Sequence, residues 1–207
     1  MKYKEYGYSD KGSSCAHSYL LKDLLSLLDR NKNKIILDIG CGNGYLAKEL
    51  LKKGFNVYGI DASQQGIEFA KKDYPDRFFV QDINDEKLPQ EIQHLKFDTV
   101  ISTEVIEHLY FPRKFVSFCK RIIEGQQDGE LILSTPYHGY LKNLFLAIFN
   151  KYDHHYTALW DGGHIKFWSK KTLTKLLEEQ GFVVTIFKGS VRFPYLWKSM
   201  FIKAKLV

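Results

Sequence analysis

The sequence predicts an α/β protein whose mostly parallel sheet is covered by helices on both faces, and three observations carry that expectation. Strand and helix signals alternate along the 207 residues, the pattern of βαβ units. The run Ile35-Ile36-Leu37-Asp38-Ile39 passes straight into Gly40-Cys41-Gly42-Asn43-Gly44 and then into the amphipathic stretch Tyr45–Leu51. That order reads as a buried parallel strand, a glycine turn and a helix N-terminus, and such a turn is where doubly wound sheets bind ligands. No linker-like stretch divides the chain, so a single domain over residues 1–207 is expected, long enough for a sizeable core.

The elements follow in order. Helical spacing of Tyr19, Leu20, Leu24, Leu25, Leu27 and Leu28 predicts a helix ahead of the first strand. Strands are expected at Asn56–Ile60, Phe78–Gln81, Thr99–Thr103 and Glu130–Ser134, with helices at Gln65–Asp73 and Pro112–Ile123 and right-handed crossovers. After Ser134-Thr135-Pro136 the rhythm breaks. Residues 137–168 form an insertion rich in aromatics and histidines, among them His138, Tyr140, His154, His155, Tyr156 and His164, and it is expected to act as a substrate lid. A helix at Ser169–Gln180 stops at Gly181, and strands are expected near Val183–Lys188 and Met200–Ala204.

Composition narrows the class. Three scattered cysteines, Cys15, Cys41 and Cys119, imply no disulfide framework. The polar opening Met1–Tyr6 has no signal-peptide pattern and no apolar run approaches membrane-spanning length, so a cytoplasmic location is expected. The net charge of +6 is uneven: from Lys166 onward nine Lys or Arg face only Glu178 and Glu179. That asymmetry suits an anionic substrate, a lipid surface or RNA, or is a solvated lysine-rich face; no nucleic-acid module is recognisable, so nucleic acid is not an expected partner. The stretch from Tyr140 to Phe149 has a broad apolar face and flanking lysines, which fits a lid helix over a substrate or a weak peripheral membrane contact.

The glycine spacing chooses the cofactor. A dinucleotide fingerprint would need its third glycine at position 45, which holds Tyr45. The pattern Asp38-Ile39-Gly40-Cys41-Gly42-Asn43-Gly44, followed by Ile60-Asp61-Ala62-Ser63, Gln81-Asp82-Ile83 and Glu104-Val105-Ile106-Glu107-His108-Leu109, resembles class I S-adenosylmethionine (SAM) methyltransferases over roughly residues 33–190. The resemblance implies a Rossmann-like seven-stranded sheet closed by an antiparallel C-terminal hairpin. It also implies a SAM site in which Gly40, Gly42 and Gly44, with Cys41 and Tyr45, meet the methionyl part. Asp38 would hold the turn and accept from the ammonium group. Asp61, with Ala62, would accept from the ribose hydroxyls, Asp82 and Ile83 would meet the adenine, and Thr103 would border the site.

The segment Thr103–Leu109 and the run Gly163-His164-Ile165-Lys166-Phe167-Trp168-Ser169 resemble the ubiquinone-biosynthesis O-methyltransferase branch. The implied activity is methyl transfer from SAM to a hydroxyl oxygen of a small metabolite. The alternatives are an RNA 2′-O-methyltransferase and a non-catalytic SAM-binding partner protein. Protonated hydroxyl nucleophiles call for a base, and His108 with Glu107 is the candidate pair. Glu104, Glu107 and His108 stand at i, i+3 and i+4, so a helix beginning near Glu104 would put all three on one face. With His164 they form a candidate site for Mg²⁺ or Zn²⁺, comparable to the Glu-Glu-His-His set of small-RNA 2′-O-methyltransferases. Without metal, Glu104 lines the cofactor pocket, Glu107 caps the helix, and His108 acts alone as base or packs against the sheet.

Overall fold

A computed structural model describes residues 15–206 except 84, 86 and 157, with side chains from Tyr19 onward. The Met1–Tyr6 opening and the Cys15 thiol lie outside the described residues. The chain runs α1 (Cys15–Leu25), β1 (Ile36–Ile39), α2 (Tyr45–Lys52), β2 (Val57–Asp61), α3 (Gln64–Lys71), β3 (Phe78–Val80) and β4 (Thr99–Thr103). A 3₁₀ turn (Ile106–His108) and α4 (Pro112–Ile123) lead to β5 (Glu130–Pro136). Then come α5 (Tyr140–Ile148), α6 (Tyr152–Tyr156), α7 (Lys170–Glu179), β6 (Phe182–Ser190) and β7 (Ser199–Leu206). The strands form one seven-stranded sheet, β3-β2-β1-β4-β5-β7-β6. β1 to β5 are parallel and β7 runs antiparallel to both β5 and β6, as the resemblance implied.

Period-two side-chain alternation with both faces covered explains why β1 and β5 are buried along their whole length. Ile36 of β1 joins Leu46, Leu50, Val57, Ile67 and Phe201 on one face. Leu37 and Ile39 join Ile60, Val100, Phe115, Leu133 and Leu177 on the other. The strand order reverses between β1 and β4, so the carboxyl ends of these strands open a crevice at the switch point.

The opposite end of the sheet is closed by a buried polar network. Asn33 Nδ2 donates to Thr99 Oγ1 (2.8 Å) and Glu130 Oε2 (2.7 Å). Lys203 Nζ pairs with Glu130 Oε2 (2.7 Å) and donates to the Leu27 carbonyl (2.9 Å). Removing one member leaves a buried charge uncompensated, so Lys203→Met is expected to lower unfolding free energy by about 3–5 kcal/mol. Urea denaturation measures this, and affinity for S-adenosylhomocysteine (SAH), the product that the resemblance implies, is expected to stay unchanged because the network lies at the opposite end of the strands from the crevice.

Two expectations need correction. No helix begins near Glu104: that residue has φ 55°, and only the three-residue 3₁₀ turn follows. Its N–H donates to the Ser134 carbonyl (3.1 Å), which continues the β4–β5 edge, and Pro112 restarts the helix as α4. The second concerns α5, whose inward residues are Lys142 and Leu146 while Tyr140, Leu141, Phe145 and Ile148 are exposed. One of the lysines expected to flank an interfacial helix is therefore buried. Among the described residues no helix is long and apolar enough to cross a membrane.

Candidate active site

The glycine turn between β1 and α2 is built for close approach. Gly40, Gly42 and Gly44 have φ of 78°, 55° and 75°. A Cβ at Gly40 would overlap the Val105 side chain, and one at Gly44 would lie 2.8 Å from Ala70 Cβ, so larger residues are excluded by space as well as by conformation. Asp61, the last residue of β2, braces the turn: its Oδ2 accepts from Gly42 N (2.8 Å) and its Oδ1 from Ser63 N (2.7 Å). Asp38 lies beneath, 1% exposed, with Oδ1 buried and lacking any hydrogen-bond partner. Burial, and then the charge of Asp61, push the Asp38 carboxyl up to about 8. A buried acceptor without a donor, beside a turn that lets a ligand touch the main chain, fits the ammonium and carboxylate of the expected cofactor.

The other expected cofactor residues line the same carboxyl edge. Cys41 is half-buried, and burial with the Asp38 and Asp61 charges pushes its thiol well up, so it is a packing group rather than a thiolate. Tyr45 opens α2, where its N–H donates to Asn43 Oδ1 (3.2 Å). Ala62 follows β2 and is half-buried. The Asp82 carbonyl accepts from Asp85 N (2.9 Å) and Gln81 Nε2 (3.0 Å), and Ile83 packs against the core. Thr103 ends β4 opposite Ser134.

Glu104, Glu107, His108 and His164 separate into two groups. The Glu104 carboxylate accepts from Ser134 Oγ (2.8 Å) and Ser199 Oγ (3.3 Å), and burial raises its pKa to about 7 against these hydrogen bonds. The donor atoms of Glu107, His108 and His164 instead lie within 4.8 Å of one another, and Glu104 is not among them. The left-handed turn at Glu104 removes it from the helical face that the spacing suggested.

Glu107 is 1% exposed; Oε2 accepts from Thr135 Oγ1 (3.0 Å) and Oε1 is buried without a partner. Burial and the charge of Glu104 push its carboxyl well up. Its backbone carbonyl accepts from both Ile165 N and Lys166 N (2.9 Å each), which pins the end of the insertion beside the 3₁₀ turn. The His108 and His164 rings are consequently 4.9 Å apart. His108 Nδ1 lies 2.9 Å from the Gly162 carbonyl and 3.3 Å from that of Gly163. Carbonyls only accept, so Nδ1 carries the proton and Nε2 the lone pair. Burial lowers the His108 pKa, which keeps the ring neutral near pH 7 and able to take a proton.

Three side chains at this edge were not singled out from the sequence. Ser134 and Thr135 hold the two glutamates, and their only sequence signal is small hydroxyls ending an otherwise apolar strand. Lys142 is buried against the same region although it sits in an amphipathic run that suggested exposure. His138, also buried, has both ring nitrogens without a hydrogen-bond partner; the Asn143 carboxamide is near, but its Oδ1 makes no hydrogen bond either.

Comparison with known proteins identifies the frame. A family model described as a methyltransferase domain matches residues 15–185. The ubiquinone biosynthesis O-methyltransferase of Dinoroseobacter shibae is 30% identical over 175 residues, 77% of this chain and 64% of that protein. The enzyme of the same name from Coxiella burnetii (strain Dugway 5J108-111) is 30% identical over 163 residues, 72% of this chain and 67% of that protein. The chain spans about half to two thirds of the length of the first such relatives. Among solved structures, magnesium protoporphyrin IX methyltransferase from Synechocystis PCC 6803 with bound SAH superimposes with a TM-score of 0.69 at 20% identity, covering 97% of this chain and 91% of that one. The PH0226 protein from Pyrococcus horikoshii gives 0.70, also at 20% identity, covering 97% and 95%. With this sheet order and this glycine turn, the chain belongs to the methyltransferase-domain family.

Proposed function

We propose that the chain moves the methyl group of SAM to a hydroxyl oxygen of a small, partly aromatic metabolite, with His108 as general base. The observation that carries the reading is the His108 ring itself, anchored through Nδ1 on the Gly162 and Gly163 carbonyls and kept neutral by burial. The relatives' name, ubiquinone biosynthesis O-methyltransferase, supports an oxygen acceptor. The acceptor hydroxyl gives its proton to Nε2 while its oxygen attacks the methyl carbon. The methyl–sulfur bond breaks, and its electron pair stays on sulfur as SAH leaves neutral. In the cofactor site Asp38 takes the ammonium, the turn at Gly40, Cys41, Gly42, Gly44 and Tyr45 takes the methionyl part, and Asp61 with Ala62 takes the ribose. Asp82 and Ile83 meet the adenine, Thr103 borders the sulfonium side, and residues 137–168 cover the acceptor as a lid.

A divalent ion held by Glu107, His108 and His164 is the second reading, favoured by the clustering of their donor atoms. An Nδ1–H bonded to a carbonyl is also how metal-binding histidines are oriented. Mg²⁺ or Zn²⁺ there would lower the pKa of the acceptor hydroxyl as a Lewis acid. Labelled SAM offered with phenols, sugars and short RNAs tests the main reading: transfer to phenolic oxygen is expected, and transfer confined to RNA would replace it. SAM binding with no transfer to any acceptor would instead favour the non-catalytic partner protein. Unchanged turnover after exhaustive EDTA treatment leaves His108 as lone base, whereas loss restored by Mg²⁺ or Zn²⁺ establishes the ion.

A further inference from the structure

Lys142 is a buried lysine that forms no ion pair among the described residues. Three lysines are buried among the described residues, and two are conventionally compensated. Lys48 pairs with Asp73 at 2.7 Å and donates to the Phe69 carbonyl, and Lys203 pairs with Glu130 at 2.7 Å. Lys142 is the most buried of the three, at 3% exposure, and among the described residues its ammonium reaches only the Lys198 carbonyl at 3.4 Å. No carboxylate pairs with it among the described residues. Glu104 is close enough to act on it, but its oxygens accept from Ser134 and Ser199. Arg192 and Lys198 add positive charge on the same side. Burial first, and then Arg192, lower the Lys142 pKa to about 8. A buried, unpaired ammonium beside two further cations is costly unless a ligand supplies the counter-charge.

Its position says which ligand. Lys142 acts electrostatically on Glu104 at the end of β4 and also on His138, His155 and His164. Its hydrogen bond to the Lys198 carbonyl sets it next to Ser199, whose hydroxyl donates to Glu104 (3.3 Å), so it sits near the end of β4 and within electrostatic range of the histidines of the insertion. We propose that Lys142, flanked by Arg192 and Lys198, binds an anionic group carried by the acceptor, a carboxylate or a phosphate, so that the preferred substrates are hydroxylated aromatic anions. This rests on the small-molecule hydroxyl reading above and adds the charge of the acceptor to it. Ammonium and guanidinium donors suit either anion.

The test is binding to the SAH-loaded full chain, measured by calorimetry with 4-hydroxybenzoate, its methyl ester and 4-hydroxyphenyl phosphate. One of the two anions is expected to bind roughly 10- to 100-fold more tightly than the neutral ester, the scale of a charge-assisted hydrogen bond. Which anion prevails assigns the group. Lys142→Met is expected to abolish the preference while SAH affinity stays within about twofold, and Lys142→Arg to retain most of it. The wild-type comparison needs no variant, so a folding defect cannot obscure the result. Equal affinity for anion and ester, or no binding of either anion, overturns the proposal. So does Lys142→Met weakening SAH instead, which would give the lysine to the cofactor's own carboxylate. Absence of methyl transfer to any hydroxyl acceptor would remove the reading beneath it and leave this binding comparison intact.

Discussion

Replacing His108 by alanine is expected to lower kcat by about 10²- to 10⁴-fold, the range that a positioned general base contributes. SAH affinity, read by calorimetry, is expected to change by less than about twofold, since the glycine turn and Asp38 are untouched. A pH profile separates base from scaffold. Burial is the main influence on the ring and lowers its pKa from 6.5, while the carbonyl hydrogen bonds oppose that shift. The base is lost on protonation, so the acid limb of kcat/KM is expected below pH 6.5. A limb at or above that value would show that some other group limits the reaction. His108→Gln keeps a donor toward Gly162 and Gly163 but supplies no base, so it is expected to fall as far as alanine; recovery with glutamine would make the residue a positioning group.

Asp38→Asn is expected to weaken SAM binding by roughly 10- to 100-fold, because a neutral amide cannot replace a carboxylate that accepts from an ammonium group. With the carboxyl at about 8 before a ligand binds, taking up an ammonium at pH 6.5 must ionise Asp38 and release about one proton. Calorimetry in buffers of different ionisation enthalpy reads that proton, and the variant is expected to lose it. The same carboxyl affects stability with a definite sign. A folded-state pKa raised above the unfolded value means that the native state binds the extra proton, so stability falls as pH rises toward 8. Glu104 at about 7, and Glu107, act in the same direction. The histidines with lowered pKa, His108, His138, His155 and His164, act oppositely, but only below about pH 6.5, where the unfolded imidazoles charge. Between pH 6.5 and 8 the cofactor-free protein is therefore expected to lose thermal stability with rising pH, and Asp38→Asn to flatten that slope. A slope unchanged in the variant would place the effect on the glutamates alone.

The strands were legible because a parallel strand buried on both faces has almost no freedom of composition. Thr99–Thr103 and Pro112–Ile123 match their expected bounds, and Ile35–Ile39 differs by one residue. The expected strand ends extend where pairing extends them: β5 runs on to Pro136 because β7 pairs with it as far as Ser199. Asp38 and Asp61 were visible for a related reason, since a carboxylate at or next to the end of a mostly apolar strand stands out against its neighbours. Their partners were less visible. The Gly42 N–H that Asp61 accepts is a backbone group, which side-chain identity does not announce.

By itself, then, the chain determined the sheet, the glycine turn and the carboxylates around it, because these depend on local periodicity and on steric limits near the backbone. Tertiary structure alone decided which of Glu104, Glu107, His108 and His164 meet. Helical spacing would have aligned the first three, but the β4–β5 edge holds Glu104 through Ser134 and turns it toward Ser199. The Glu107 carbonyl draws residues 165 and 166 across to place His164 against His108, and Gly162 sets the tautomer of His108 from 54 residues away. Lys142 follows the same rule: its run reads as an exposed amphipathic face, yet the folded chain buries it and brings its ammonium to the carbonyl of Lys198, 56 residues away. These contacts join distant segments, so their energetics depend on which surfaces the fold brings together rather than on any pattern within one segment.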